Sequence, residues 1–201
     1  MSEARESELV IATANPGKLR EIRSLLERPG RRLRSLSEFP SVELPEEGDD
    51  YSANALAKAR AAAGATGRPA VADDSGLEVA ALGGAPGPRS ARYGGPGLDD
   101  AGRVARLLEA LEDVLPERRQ ARFVCVAAWV DPAGGTLILR GECAGRILES
   151  PRGAGGFGYD PVFAPEDETV SMAELPPARK NELSHRARAF RALAEKLPRL
   201  A

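Results

Sequence analysis

Residues 9–26 read LVIATANPGKLREIRSLL. The opening run LVIA is unbroken and apolar, as a strand buried on both faces requires. We expect that strand over residues 8–14. The run gives way at Thr13-Ala14-Asn15-Pro16-Gly17-Lys18 to a helix-like pattern that reaches about Glu27, where Pro29-Gly30 ends it. Asn15 is a favoured N-cap residue, and Pro16 suits a first helical turn. A strand, a short turn carrying one lysine, and a helix outline a phosphate cradle, because a helix start presents N–H groups and the positive end of its dipole. It is not a Walker loop. That loop is longer, richer in glycine, and places Ser or Thr after its lysine; here Leu19 follows Lys18.

Outward from this stretch the pattern stays mixed. Residues 31–36 (RRLRSL) read as a short strand, and FPSVELPEEGDD, 39–50, as an acidic Pro-rich loop. Asp50 or Ser52 can cap an Ala-rich helix over 53–63, with Gly64 and Gly67 at its end. PAVADDSGLEVAAL, 69–82, reads as strand, acidic turn, strand. A Gly- and Pro-rich loop follows over 83–97, too long for a mere connector. Asp99 or Asp100 caps the next helix. ARFVCVAAWV and GTLILRGECAGRIL are strands joined through PAGG as a hairpin, and GAGGFGYDPVF is a glycine-rich turn entering a strand. Residues 180–197 read as one amphipathic helix. The whole, residues 1–201, is expected as a single α/β domain on an elongated mixed sheet, with two lobes around one central cleft.

Composition narrows the function. The chain has 201 residues, 42% hydrophobic, enough for a real core, and a net charge of −2. No broad basic face is implied, so nucleic acid is not an expected partner. No apolar stretch approaches a membrane span, and residues 1–8 are too polar and acidic for a secretory signal, so a cytoplasmic protein is expected. Cys125 and Cys143 sit in apolar strand-like runs without metal spacing and are expected to pack the core. Basic residues are nearly all arginine. The lysines are Lys18, Lys58, Lys180 and Lys196, and the asparagines are Asn15, Asn54 and Asn181. A compact ammonium suits a phosphate oxygen in a tight pocket better than the planar guanidinium does.

Two acidic sets accompany those lysines. Asp73 and Asp74 precede Ser75-Gly76, and strand alternation points the two carboxylates to opposite faces. Glu46, Glu47, Asp49 and Asp50 precede the Ala-rich helix. Carboxylates beside lysine-bearing turns fit Mg²⁺ and a polyphosphate held together. In GAGGFGYDP, 153–161, glycines allow close approach of a ligand; Phe157 and Tyr159 either offer flat faces to a base or pack the core. His185, the sole histidine, and Arg186 can present donors to the edge of a base.

The ordered set TANPGK, EEG, NALAKA, ADDSGLEV, LGGAPGPRSARYGG, RFVCV, GGFGYDPVF and SHRARAF resembles the inosine triphosphate pyrophosphatases, also called XTP/dITP diphosphatases, from residue 9 to about 197. The resemblance implies a two-lobed α/β fold, usually a homodimer. It implies Mg²⁺-dependent cleavage of deaminated purine nucleoside triphosphates (ITP, dITP, XTP) to a monophosphate and pyrophosphate. Carried over, Thr13, Ala14, Asn15, Pro16, Gly17 and Lys18 cradle phosphate, and Lys58 reaches the triphosphate. Asp74 is the acidic residue near the metal, as ligand or as base, and Ser75 contacts substrate. Phe157, Gly158, Tyr159, Asp160, Lys180, His185 and Arg186 hold the nucleoside. The acidic loop departs from the family pattern: it reads EEGDDYSANA, lacking the usual Thr and carrying Ala53 where Glu commonly precedes Asn54. Glu46 and Glu47 are both candidate metal ligands, and Asp49 or Asp50 can restore lost negative charge. The alternatives are a Maf-like pyrophosphatase for modified pyrimidine nucleotides, which the His-Arg pair argues against, and a nucleotide-binding sensor without turnover.

Overall fold

The computed structural model describes residues 7–197. Among them the elements run β1 (Ser7–Ile11), α1 (Pro16–Leu26), β2 (Arg31–Ser35), α2 (Tyr51–Thr66), β3 (Ala70–Val79), β4 (Pro86–Gly87), α3 (Asp100–Ala110), β5 (Gln120–Val130), β6 (Thr136–Ile147), β7 (Phe163–Pro165), α4 (Pro177–Leu183) and α5 (His185–Lys196). The sheet order is β2-β1-β3-β5-β6-β7, with β4 paired to β3. β1 lies parallel to both β2 and β3, whereas β4 on β3 and β7 on β6 are antiparallel. The expected mixed α/β sheet is what forms. No helix among the described residues is long and apolar enough to cross a membrane.

The chain forms two compact units, residues 7–74, 125–141 and 186–197 in the first and 75–124 and 142–185 in the second. In the first, Leu9 and Ile11 of β1 meet Ile22 of α1, Cys125 and Trp129 of β5, and Phe190 of α5. Leu9, Val10 and Ile11 are fully buried, which explains why β1 is apolar at successive positions rather than alternating. In the second, Leu107 of α3 packs with Leu77, Phe123, Ile147 and Phe163 from four strands. Cys125 and Cys143 are free, buried thiols, one in each core.

Local chemistry sets the helix ends. Asn15 Oδ1 accepts from the backbone N–H groups of Gly17 and Lys18, with Pro16 in the first turn of α1. Asp50 caps α2 through Ala53 N, and Gly67 ends it in the left-handed region. Along α2, Ala55, Ala59, Ala62 and Ala63 are buried, so its small side chains permit a close approach to the sheet. Asp99, not Asp100, caps α3.

Three expectations are corrected. β1 stops at Ile11 instead of residue 14, because Thr13 N turns back onto Ile11 O at 3.1 Å to begin the turn into α1. β3 runs unbroken through Asp73-Asp74-Ser75-Gly76, where turn chemistry was expected. Both aspartates find tertiary partners there, and these override the local preference for a turn. The C-terminal helix is two helices, divided at Ser184, whose ψ of 149° breaks the helical path and makes His185 the first residue of α5.

β6 and β7 meet with no room at Gly145, where a Cβ would lie 2.2 Å from the backbone oxygen of Ala164. Gly145→Ala is therefore expected to cost about 1–3 kcal/mol by overpacking. Urea unfolding checks this through a lower midpoint at unchanged slope; an unmoved midpoint would show that the two strands separate freely.

Candidate active site

The turn after β1 exposes Ala14, Asn15 and Pro16 while Gly17 is buried. Thr13 Oγ1 accepts from Asn15 N at 3.2 Å, so the turn is stiffened before the cap is made. Lys18, in the first turn of α1, extends its ammonium to 3.2 Å from Asp73 Oδ2.

Asp73 is the most enclosed charge of the first unit, with a side-chain exposure of 0%. Its Oδ2 accepts from Lys18 and from Arg186, whose Nε and Nη2 lie 3.3 and 3.2 Å away. Arg186 Nη1 donates in turn to Glu21 of α1 at 2.5 Å. The four side chains form a neutral set of two cations and two anions. Burial alone would raise the Asp73 carboxyl, but Lys18, Arg186 and Lys58 outweigh it and hold the group well below the usual carboxylate range. Burial, with Asp73 close by, pushes the Cys125 thiol up, so Cys125 is an inert packing residue.

Asp74 belongs to a second cluster of the same unit. Its Oδ2 accepts from Asn54 Nδ2 at 2.7 Å, and its Oδ1 lies 3.8 Å from Lys58 Nζ. Lys58 also pairs with Glu47 of the acidic loop. Asn54 and Lys58 are four residues apart on α2 and so share one face. Asn54 in addition accepts from Gly48 N and donates to Gly48 O, which staples the acidic loop to α2. Burial raises the pKa of Asp74; the Asn54 hydrogen bond and Lys58 oppose this, and the nearby Glu47 carboxylate adds to it. Of the acidic loop, Glu47 is thus the member beside Asp74. Glu46 is exposed, and Asp50 is engaged as the α2 cap. Among the described residues no group of three or more His, Cys, Asp or Glu side chains is arranged to hold a metal.

The second unit contains Ser75, on β3, and the nucleoside candidates other than Arg186. Lys180 Nζ lies 2.6 Å from Asp160 Oδ2 and 5.0 Å from the centre of the Phe157 ring. The same Asp160 oxygen accepts from Phe157 N at 2.8 Å. Gly156 (φ +74°) closes this turn, and a Cβ there would fall 2.0 Å from that oxygen, so glycine is required. Tyr159 is buried in the core with its hydroxyl on Ser90 O, 2.9 Å away; of the two aromatics, Tyr159 packs and Phe157 stays partly exposed. His185 is buried and stacks on Phe123 at 4.7 Å, 11° from parallel. Adjacent in sequence, His185 and Arg186 serve different units.

Sequence reasoning did not single out Asn54 or Glu21 as site residues, and it named Asp73 only within an acidic set, with no role of its own. A signal existed for Asn54, four residues before Lys58 on a helix, and for Asp73, the alternate partner of Asp74 on one strand. Glu21 meets Arg186 across 165 residues of chain and carried none.

Ionised Asp73 contributes stability at neutral pH that is lost as pH falls through the ordinary carboxylate range and below it, because its folded pKa is depressed. Asp73→Asn leaves buried cations facing a neutral amide and should cost about 3–5 kcal/mol at pH 7. The gap to wild type should narrow on acidification. Urea unfolding at pH 7 and pH 3 reads both; a cost under about 1 kcal/mol at pH 7 would contradict the buried-pair account.

The model of the Ham1 family matches residues 9–196. The chain is 48% identical over 189 residues to the dITP/XTP pyrophosphatase of Geobacillus kaustophilus, covering 94% of this chain and 93% of that one. It is 51% identical over 200 residues to the dITP/XTP pyrophosphatase of Mycolicibacterium paratuberculosis, covering 97% and 98%. Among solved structures, a HAM1 protein from Coxiella burnetii superposes with a TM-score of 0.85 at 42% identity, over 94% of this chain and 97% of that one. The Staphylococcus aureus Ham1 protein gives 0.83 at 37%, with the same coverage. With nearly its whole length matched in sequence and in fold, the chain belongs to the Ham1 family.

Proposed function

We propose that this chain is a nucleoside triphosphate pyrophosphatase that hydrolyses ITP, dITP and XTP to the monophosphate and pyrophosphate and so clears deaminated purines from the nucleotide pool. The observation that carries the reading is the convergence of Lys18 and Lys58 on the adjacent carboxylates Asp73 and Asp74, in a chain about half identical to proteins named dITP/XTP pyrophosphatase. Two lysines, one of them in the first turn of a helix, offer positive charge to a polyphosphate.

Mg²⁺ is part of the proposal. Glu47 and Asp74 are like charges close enough that Glu47 raises the proton affinity of Asp74, and a divalent cation relieves that repulsion. Magnesium commonly binds through one or two carboxylates plus substrate phosphates and water, so a third protein ligand is not needed. Glu47 and Asp74 would hold it, and when bound it supplies neutralisation of the phosphate charge. Lys18 and Lys58 orient the triphosphate, with Thr13 to Gly17 shaping the turn around it. Asp74 serves either as that metal ligand or as the base that takes the proton of the attacking water. The new P–O bond forms at Pα, the Pα–O–Pβ bridge breaks, and pyrophosphate leaves.

For the nucleoside, the family resemblance assigns Ser75, Phe157, Gly158, Tyr159, Asp160, Lys180, His185 and Arg186; of these, the partly exposed Phe157 is the stacking face. Arg186 Nε, Nη1 and Nη2 donate to carboxylates in this structure. Donors favour the 6-oxo group of hypoxanthine and xanthine and oppose the 6-amino group of adenine. N–H groups near the 2-position would reject the amino group of guanine. A homodimer in the cytoplasm completes the reading, on the family resemblance alone.

A turnover panel tests it. The kcat/KM values for ITP and XTP should exceed those for ATP and GTP by at least about one to two orders of magnitude, since each mispaired buried polar group costs about 1–3 kcal/mol. Chelation should abolish turnover and Mg²⁺ restore it. Asp74→Asn should fold and lose kcat by about 10²–10⁴-fold. Nucleotide binding without pyrophosphate release would make the chain a sensor instead.

A further inference from the structure

Phe157 sits between two peptide groups, and each is pinned by a carboxylate. The peptide before it donates Phe157 N–H to Asp160 Oδ2 at 2.8 Å. The peptide after it donates Gly158 N–H to Asp100 Oδ2 at 2.7 Å. Fixing both flanking peptide planes restrains the φ and ψ of Phe157, and with them the direction of the Cα–Cβ bond from which its ring projects. Asp160 is local to this turn. Asp100 is not: it reaches in from the first turn of α3, 58 residues earlier in the chain.

Asp100 is itself held. Arg103 Nη2 donates to its Oδ1 at 2.7 Å, leaving Oδ2 for Gly158. The other Nη of Arg103 bonds to Leu98 O just ahead of the helix. Burial works against ionisation of Asp100, but the Arg103 guanidinium and the Gly158 N–H outweigh it and keep the carboxyl below its usual range. Capping does not explain this residue, because Asp99 performs that role through Gly102 N. Gly158 (φ +62°) adopts the left-handed region, which glycine alone enters without cost, so this peptide has alternatives that a hydrogen bond can select against. A second tie to the same loop, Tyr159 to Ser90 O, anchors the core side of the turn but does not touch the peptides beside Phe157.

We propose that Asp100 is a positioning residue for base recognition: its carboxylate, held by Arg103, locks the Phe157–Gly158 peptide so that the Phe157 ring stands ready to stack on the purine. The proposal rests on the assignment of Phe157 as the stacking face. Asp100 touches no substrate and takes no part in bond breaking, so its influence is on nucleoside binding and not on the chemical step. Pre-organising the ring lowers the ordering cost that binding would otherwise carry.

The test uses the full chain as wild type, Asp100→Ala and Asp100→Asn. Asp100 is half exposed, so neither change disturbs a core. Asp100→Ala should raise KM for ITP by about 5- to 30-fold, less than a fully buried charge-assisted hydrogen bond is worth because Asp100 is half exposed, and leave kcat within about twofold. Asp100→Asn keeps an oxygen acceptor for Gly158 N–H and should recover most of the KM. Amide hydrogen exchange reads the lock without turnover: in Asp100→Ala, protection at Gly158 and Phe157 should fall by about tenfold or more, with little change elsewhere on α3. An unchanged KM, or an Asp100→Asn as impaired as Asp100→Ala, overturns the proposal. A wild type that hydrolyses no ITP overturns the assigned function instead. In that event the exchange measurement still decides the lock, since unaltered protection in Asp100→Ala would end it.

Discussion

A carboxylate inside the first unit, Asp73, is stable there only because Lys18 and Arg186 reach it. Removing a charge from water costs several kcal/mol unless good geometry and hydrogen bonds repay it. The arrangement therefore ties three distant parts of the chain to one atom: the first turn of α1, the middle of β3 and the start of α5. Glu21 closes the set as the second anion, paired with Arg186, so that two cations face two anions. Lys18 is thereby fixed before any phosphate arrives, and the neighbouring residue Asp74 is turned to the opposite face of β3, where Asn54, Lys58 and Glu47 meet it. One buried charge and one strand alternation account for both clusters.

That logic decides how much the sequence could disclose. Helix caps at Asn15 and Asp50 were readable because the donor and acceptor lie within three residues of each other. The strand β1 was readable because burial on both faces leaves an apolar run. The continuity of β3 was not: Asp-Asp-Ser-Gly favours a turn locally, and only partners brought by α1, α2 and α5 make it a strand. The break at Ser184 was hidden for a related reason, as 180–197 keeps its helical pattern across a residue with extended backbone.

The candidate site was legible as a list and not as a set of bonds. The lysines and acidic residues were identifiable by type and spacing, and the resemblance gave them roles. It did not separate Glu47 from Glu46, which required the fold to bring Lys58 beside one of them. Nor did it reveal that Arg186 arrives already bonded to two carboxylates, or that Tyr159 spends its ring on the core while Phe157 does not. Asp100 drew attention as a cap, and its contact with Gly158 was beyond any local pattern.

The proposed placement of lysines and carboxylates commits the triphosphate to attack at one phosphorus. In the proposed reaction, lysines held by carboxylates bind the chain of phosphates, and water meets Pα. Hydrolysis of ITP in ¹⁸O-labelled water, with mass analysis of both products, tests this directly. The account predicts one label in the monophosphate and none in pyrophosphate. Label in pyrophosphate would place the attack at Pβ, and orthophosphate as the first product would place it at Pγ; either would contradict the assignment of these residues.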